Sequence, residues 1–175
     1  GPPSSTLCAS ASLFAAGGGA LALAGCETVQ VTADGRFPIM DVLGIMSDVS
    51  EFRSALRSAG LAELLSGQNP YTVFAPTNAA WSAAPASFRD GGATALRSLI
   101  AGGRLRLADI AARDNRIQML SGIQLRIVGG TPTEPRIQAA RAGAAPSGAS
   151  ATVIRPNLLC SNGIIHVIGG VLIPA

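Results

Sequence analysis

Apolar residues in the first half of this chain recur every three or four positions, and in the second half every two. After Pro38, Ile39, Val42, Leu43 and Met46 fall on one helical face, and Ser47 or Asp48 can cap a second helix. In that second helix Phe52, Ala55, Leu56 and Ala59 repeat at helical spacing until Gly60 stops it. Residues 61 to 65 add a short turn before SGQNP breaks it. The run YTVFAPTNAAW then predicts a strand over 71 to 74, with Thr72 and Phe74 on one face and Tyr71 and Val73 on the other. Pro76 cannot donate to a ladder and ends it, and Thr77 or Asn78 can cap a helix that buries Trp81.

Further on, residues 85 to 92 read as a loop. Leu96, Leu99 and Ile100 predict a helix closed by Gly102 and Gly103, and Leu107, Ile110 and Ala111 another short helical turn. Beyond Asp114 the period becomes two. Ile123, Leu125 and Ile127 alternate with Gln124, Arg126 and Val128 as a half-buried strand ended by Gly129-Gly130. TPTEP and RAGAAPSGAS read as loops flanking a short edge strand over 136 to 140, and residues 152 to 154 as a strand stopped at Pro156. Residues 164 to 168 form an apolar run suited to a strand buried on both faces, turning at Gly169-Gly170 before 171 to 173 continue it. Helices first and strands second predict an α+β domain.

The first 26 residues, GPPSSTLCASASLFAAGGGALALAGC, carry no charge. Residues 13 to 24 are a weakly apolar run of small side chains, too short and glycine-rich to span a bilayer comfortably and well suited to the core of a signal peptide. Leu23-Ala24-Gly25-Cys26 resembles the bacterial lipobox, in which the cysteine is acylated and the leader removed. The organisation expected is therefore a leader over 1–26 with lipidation at Cys26, a polar tether over 27–37, and a globular domain over 38–175. Glu27 stands where an aspartate would retain a lipoprotein at the inner membrane of a Gram-negative cell. The expected location is therefore the cell envelope, at the outer membrane, facing periplasm or cell surface. Cys8 lies in the leader and Cys26 would carry lipid, so Cys160 is left as the single thiol of the domain, unable to form a disulfide within it.

Charge narrows the choice of partner. Net charge is +3, every basic residue is arginine, and aromatics are 4% of the chain. Arginines spread from Arg36 to Arg155 without a basic stripe or stacking aromatics, so no nucleic-acid partner is expected. Arg104, Arg106, Arg113 and Arg116 cluster in sequence and could face acidic lipid or glycan, although a solvated face explains them better.

Candidate chemistry is sparse. His166 is the single histidine and sits in an apolar run, so a hydrogen-bonded core histidine explains it better than a catalytic base. Cys160 lacks an evident thiolate-stabilising environment. No carboxylate spacing matches a calcium loop, and the glycine pairs lack a phosphate-loop context. The residues thus predict no catalytic group, no metal and no cofactor.

Two segments carry a family resemblance. Thr72-Val73-Phe74-Ala75-Pro76-Thr77-Asn78 with Trp81, and Asn162-Gly163-Ile164-Ile165-His166-Val167-Ile168 followed by Val171 to Pro174, resemble the two signature motifs of the fasciclin domain. Gly169 stands where that family usually has aspartate, and Phe52 with Ala59-Gly60-Leu61 resembles its leading helices. The resemblance spans about 38 to 175. It implies a fasciclin-like fold, with N-terminal helices packed on a sandwich or wedge of short strands. It also implies that Thr72, Phe74, Pro76, Thr77, Asn78, Trp81, Asn162, Gly163, His166 and Pro174 build the core rather than a reaction centre. Fasciclin domains are mostly extracellular and serve adhesion or partner binding, so the implied role is non-catalytic binding of a protein or glycan at the envelope, with the membrane held through the lipid. Two alternatives are a carrier of an apolar small molecule and an accessory subunit of a membrane complex. Many members carry a Tyr-His pair implicated in receptor-mediated adhesion; LIAGGRLRL stands there instead, so that mode is not implied.

Overall fold

The computed structural model describes Ser4, Ser5 and residues 29–175. A two-residue strand pair, β1 (Ser4–Ser5) with β2 (Val29–Gln30), precedes the domain. Residues 31 to 37, expected within the tether, lie against the fold. Val31, Ala33 and Phe37 pack on the core, Gly35 N donates to Leu159 O, and Ser161 N donates to Phe37 O.

Helix α1 (Ile39–Gly44) buries Ile39, Val42 and Leu43 as the spacing predicts, and α2 (Ser50–Ser58) buries Phe52 and Leu56. Short 3-10 turns at Ser47–Val49 and Leu64–Ser66 flank α2. Strand β3 (Tyr71–Pro76) leads into α3 (Asn78–Ala83), capped by the Thr77 hydroxyl accepting from Ala80 N at 3.1 Å. Trp81 of α3 lies 6.1 Å from Phe88 edge-on and 6.4 Å from Phe52, so one aromatic cluster ties three helices together.

The segment read as a loop over 85 to 92 contains helix α4 (Ala86–Arg89), because Pro85 presets the turn and Phe88 gains burial beside Trp81. Helix α5 (Gly92–Arg97) ends before the apolar pair expected to extend it. Ile100 instead opens strand β4 (Ile100–Gly102), antiparallel to β3. A short apolar run suits helix or strand equally, and here the free edge of β3 claims it. Helix α6 (Leu107–Ala112) follows as expected.

The strands are β5 (Arg116–Gln118), which the alternation did not announce, β6 (Gln124–Gly130), β7 (Pro135–Ala140), β8 (Pro146–Cys160) and β9 (Gly163–Ile168). Their order is β4-β3-β9-β8-β7-β6-β5. β8 is shared. Its first half pairs with β7 and its second with β9, folding the sheet into two layers over the core. Leu120 N donates to Ile100 O at 2.8 Å, joining the β5 side to β4 so that the curled sheet nearly meets itself.

Four further expectations change. β7 is not an edge strand, since β6 and β8 flank it. Half of RAGAAPSGAS belongs to β8, which starts at Pro146, a position that needs no donor. Pro156 does not stop β8, because register shifts between Val153 and Leu158 place it in an irregular stretch where its missing N–H costs no ladder bond. Residues 171 to 173 form no strand. They pass beside Gly148, where a Cβ would collide with Ile173 O.

Candidate functional site

Both signature segments meet in the central parallel pair, β3 with β9, where Phe74 registers with His166 and Pro76 with Ile168. Phe74 and His166 are fully buried and their rings stack with centroids 5.1 Å apart. His166 Nδ1 accepts from Asn157 N at 3.0 Å, which leaves Nε2 to donate to Leu105 O at 2.8 Å. Burial pushes its pKa down from 6.5 to about 4, although the Leu105 carbonyl pulls the other way. A neutral imidazole with both nitrogens engaged ties β9 to β8 and to the segment ahead of α6.

The neighbouring signature residues act similarly. Thr72 Oγ1 donates to Gly103 O at 2.7 Å and accepts from Leu105 N at 2.8 Å, holding the turn after β4. Asn78 does not cap its own helix. Its Oδ1 accepts from Glu51 N at 2.9 Å and its amide donates to Ser47 O at 3.0 Å, so it caps the start of α2. Asn162 Oδ1 accepts from Ile39 N at 2.9 Å, and its amide donates to Leu65 O at 2.6 Å and Gly67 O at 3.1 Å. One buried side chain thereby pins α1 and the turn after α2 to the start of β9. Gly163 follows because a Cβ there would collide with Tyr71 O. Pro174 is half-buried beside α3, in a cleft of about 510 Å³ shared with Ala83 and Pro85.

Cys160 is buried, and that burial raises its pKa to about 12 despite nearby Arg104. Arg104 donates to the Cys160 and Ser161 carbonyls at 2.7 and 2.9 Å, so it braces the β8–β9 turn instead of joining a free basic surface. Arg116 pairs with Asp114 at 3.0 Å. Cys26 lies outside the described residues. Among the described residues no group of three His, Cys, Asp or Glu side chains could hold a metal ion, and no helix is long and apolar enough to cross a membrane.

A cleft of about 660 Å³ opens between α6 and the β6–β7 turn. Leu107, Ala111, Ile127, Val128 and Pro135 give it an apolar wall, and Asn115 and Asn157 its polar atoms. Asn157 links this cleft to the core, since its Oδ1 accepts from Leu107 N at 3.0 Å and its N–H bonds His166. Its φ of 60° is one that asparagine tolerates better than most residues. The sequence signal was Asn following Pro156, read only as a strand end.

Comparison with known proteins agrees with this architecture. The family described as Fasciclin domain matches residues 47–174. The chain is 28% identical to Protein sll1483 of Synechocystis over 92% of its own length and 91% of that protein's. It is 28% identical to the transforming growth factor-beta-induced protein ig-h3 of Sus scrofa over 78% of its length, spanning 19% of that protein. In structure it resembles the FAS1 domain pair of the insect cell adhesion molecule fasciclin I, with a TM-score of 0.61 and 17% identity. That likeness covers 78% of this chain and 51% of the pair. With both signature segments in its central strand pair and the family matched across most of its length, this chain belongs to the fasciclin domain family.

Proposed function

We propose that the protein is an exported, lipid-anchored binding module, held at the cell envelope through Cys26 and acting in adhesion to a protein or glycan without catalysis. One observation carries the non-catalytic part. The polar atoms of Thr72, Asn78, Asn162 and His166 are spent on backbone groups of neighbouring elements, and the one domain thiol is buried with a raised pKa. These residues hold shape; recognition is then left to the surface. Adhesion is suggested by the likeness to fasciclin I, an insect cell adhesion molecule. The anchor is supported by the Leu23-Ala24-Gly25-Cys26 sequence and by the stable retention that several acyl chains provide.

Attachment of bacteria expressing the full chain to surfaces coated with envelope material tests this reading. The wild type should raise retention, and Cys26→Ser should release the protein and abolish the gain. Equal retention of both would refute the anchored role.

The 660 Å³ apolar cleft favours the carrier as a second reading. Saturable enhancement of an apolar fluorophore, lost on Ala111→Arg, would support it; no enhancement would end it.

A further inference from the structure

The outward positions of β5, β6 and β7 carry a cationic grid. Arg116 registers directly with Arg126, and Arg126 with Gln138 on the next strand. Side chains in such register stand about 5 Å apart at Cβ, and like charges so placed are destabilising. Arg136 lies two residues before Gln138 on the same face, diagonal to Arg126. Opposite Arg136 stands Gly129, where a Cβ would collide with the Arg136 guanidinium. The bare glycine thus gives Arg136 room to lie across β6. Among the described residues neither Arg126 nor Arg136 has a carboxylate within ion-pair reach, and Arg116 meets only the exposed Asp114. Gln118 and Gln124, paired in register, continue the face.

We propose that this face binds an acidic polysaccharide, a polymer bearing uronate carboxylates. The inference rests on the reading of the domain as an envelope binding module and names its partner class. Guanidinium forks match carboxylates in bidentate geometry, and glutamine amides both donate to and accept from sugar hydroxyls. The outward positions offer no aromatic ring for stacking bases, as a nucleic-acid strand would require. The exposed large apolar side chains on and beside these three strands are Val128 and Leu120, too few to enter a bilayer as a membrane surface would require. An extended face of arginine and glutamine fits a linear anionic glycan.

The test is titration of the full chain with polygalacturonate, with its neutral methyl ester, with phosphatidylglycerol vesicles and with single-stranded poly(dT). Polygalacturonate should bind saturably, and the ester should bind more than tenfold weaker. R126Q/R136Q should weaken polygalacturonate binding by roughly tenfold or more, the loss expected for charge-assisted hydrogen bonds. Its melting temperature should hold or rise, because an opposed pair of charges is relieved. G129A, which displaces Arg136 and keeps every charge, should weaken binding as well. Equal binding of the ester, unchanged affinity in R126Q/R136Q, a lowered melting temperature in that variant, or preference for vesicles or poly(dT) would overturn the proposal. If R126Q/R136Q keeps its glycan affinity while the wild type still promotes envelope attachment, the inference fails and the binding reading stands. Loss of attachment by the wild type itself would sink the broader reading.

Discussion

Acidification should destabilise this domain through His166 in a window set by one buried imidazole. In the unfolded chain the group titrates near 6.5; in the fold, burial holds it at about 4. Because the folded value is depressed, the unfolded state binds the extra proton first, so stability is complete above the unfolded value and is lost as pH falls toward the folded one. The gap corresponds to about 3 kcal/mol at most, and about 2 kcal/mol of it falls between about pH 7 and about pH 4.5. That is a large share of the roughly 5 to 15 kcal/mol that holds a typical domain together. Urea unfolding across this range should show the wild type losing that amount beyond what His166→Gln loses over the same interval. The variant starts lower, because Leu105 O and Asn157 N lose their partner at roughly 1 to 3 kcal/mol each, but its pH slope should be shallower. Parallel slopes for the two proteins would show that His166 titrates normally in the fold and would refute its placement as a neutral buried bridge.

Other outcomes follow from the same packing. Asn162→Ala removes three hydrogen bonds to buried or half-buried backbone, and urea midpoints should report a loss of at least about 3 kcal/mol. Gly163→Ala should be worse, failing to accumulate as folded protein by near-ultraviolet circular dichroism, because β3 must move away from β9 to admit the methyl group. Alkylation of Cys160, followed by peptide mass in a chain with Cys8 and Cys26 changed to serine, should proceed only as fast as unfolding. Labelling at the rate of an exposed thiol would contradict its burial.

Much of this fold was legible because its strongest signals are local. The Pro76-Thr77 corner announces itself by a missing donor and a ready cap, and 164 to 168 by unbroken apolarity. What stayed hidden depends on partners distant in sequence. Ile100 becomes a strand only because β3 offers an edge, and Arg116 to Gln118 only because β6 does. Pro156 sits within β8 because bulges accommodate it, which no local rule supplies. At the signature residues, chemistry suggested that His166 is a core group and not which backbone groups it joins; Leu105 and Asn157 lie 61 and 9 residues away. Asn78 looked like a cap and is one, for a helix 27 residues earlier in the chain. The alternation of β6 placed Arg126 outward, but its opposition to Arg116 is a matter of register and required the paired strands.

The claim that this domain binds without chemistry is tested most directly by equilibrating the full chain with isolated cell-envelope fragments, measuring the bound fraction, and then recovering the fragments for mass analysis. The account predicts saturable, reversible binding, with envelope polymers and lipids recovered unchanged in mass after prolonged contact. Time-dependent release of cleaved or modified material, abolished by His166→Gln or Cys160→Ser in a folded chain, would contradict it, as would failure to saturate at any concentration.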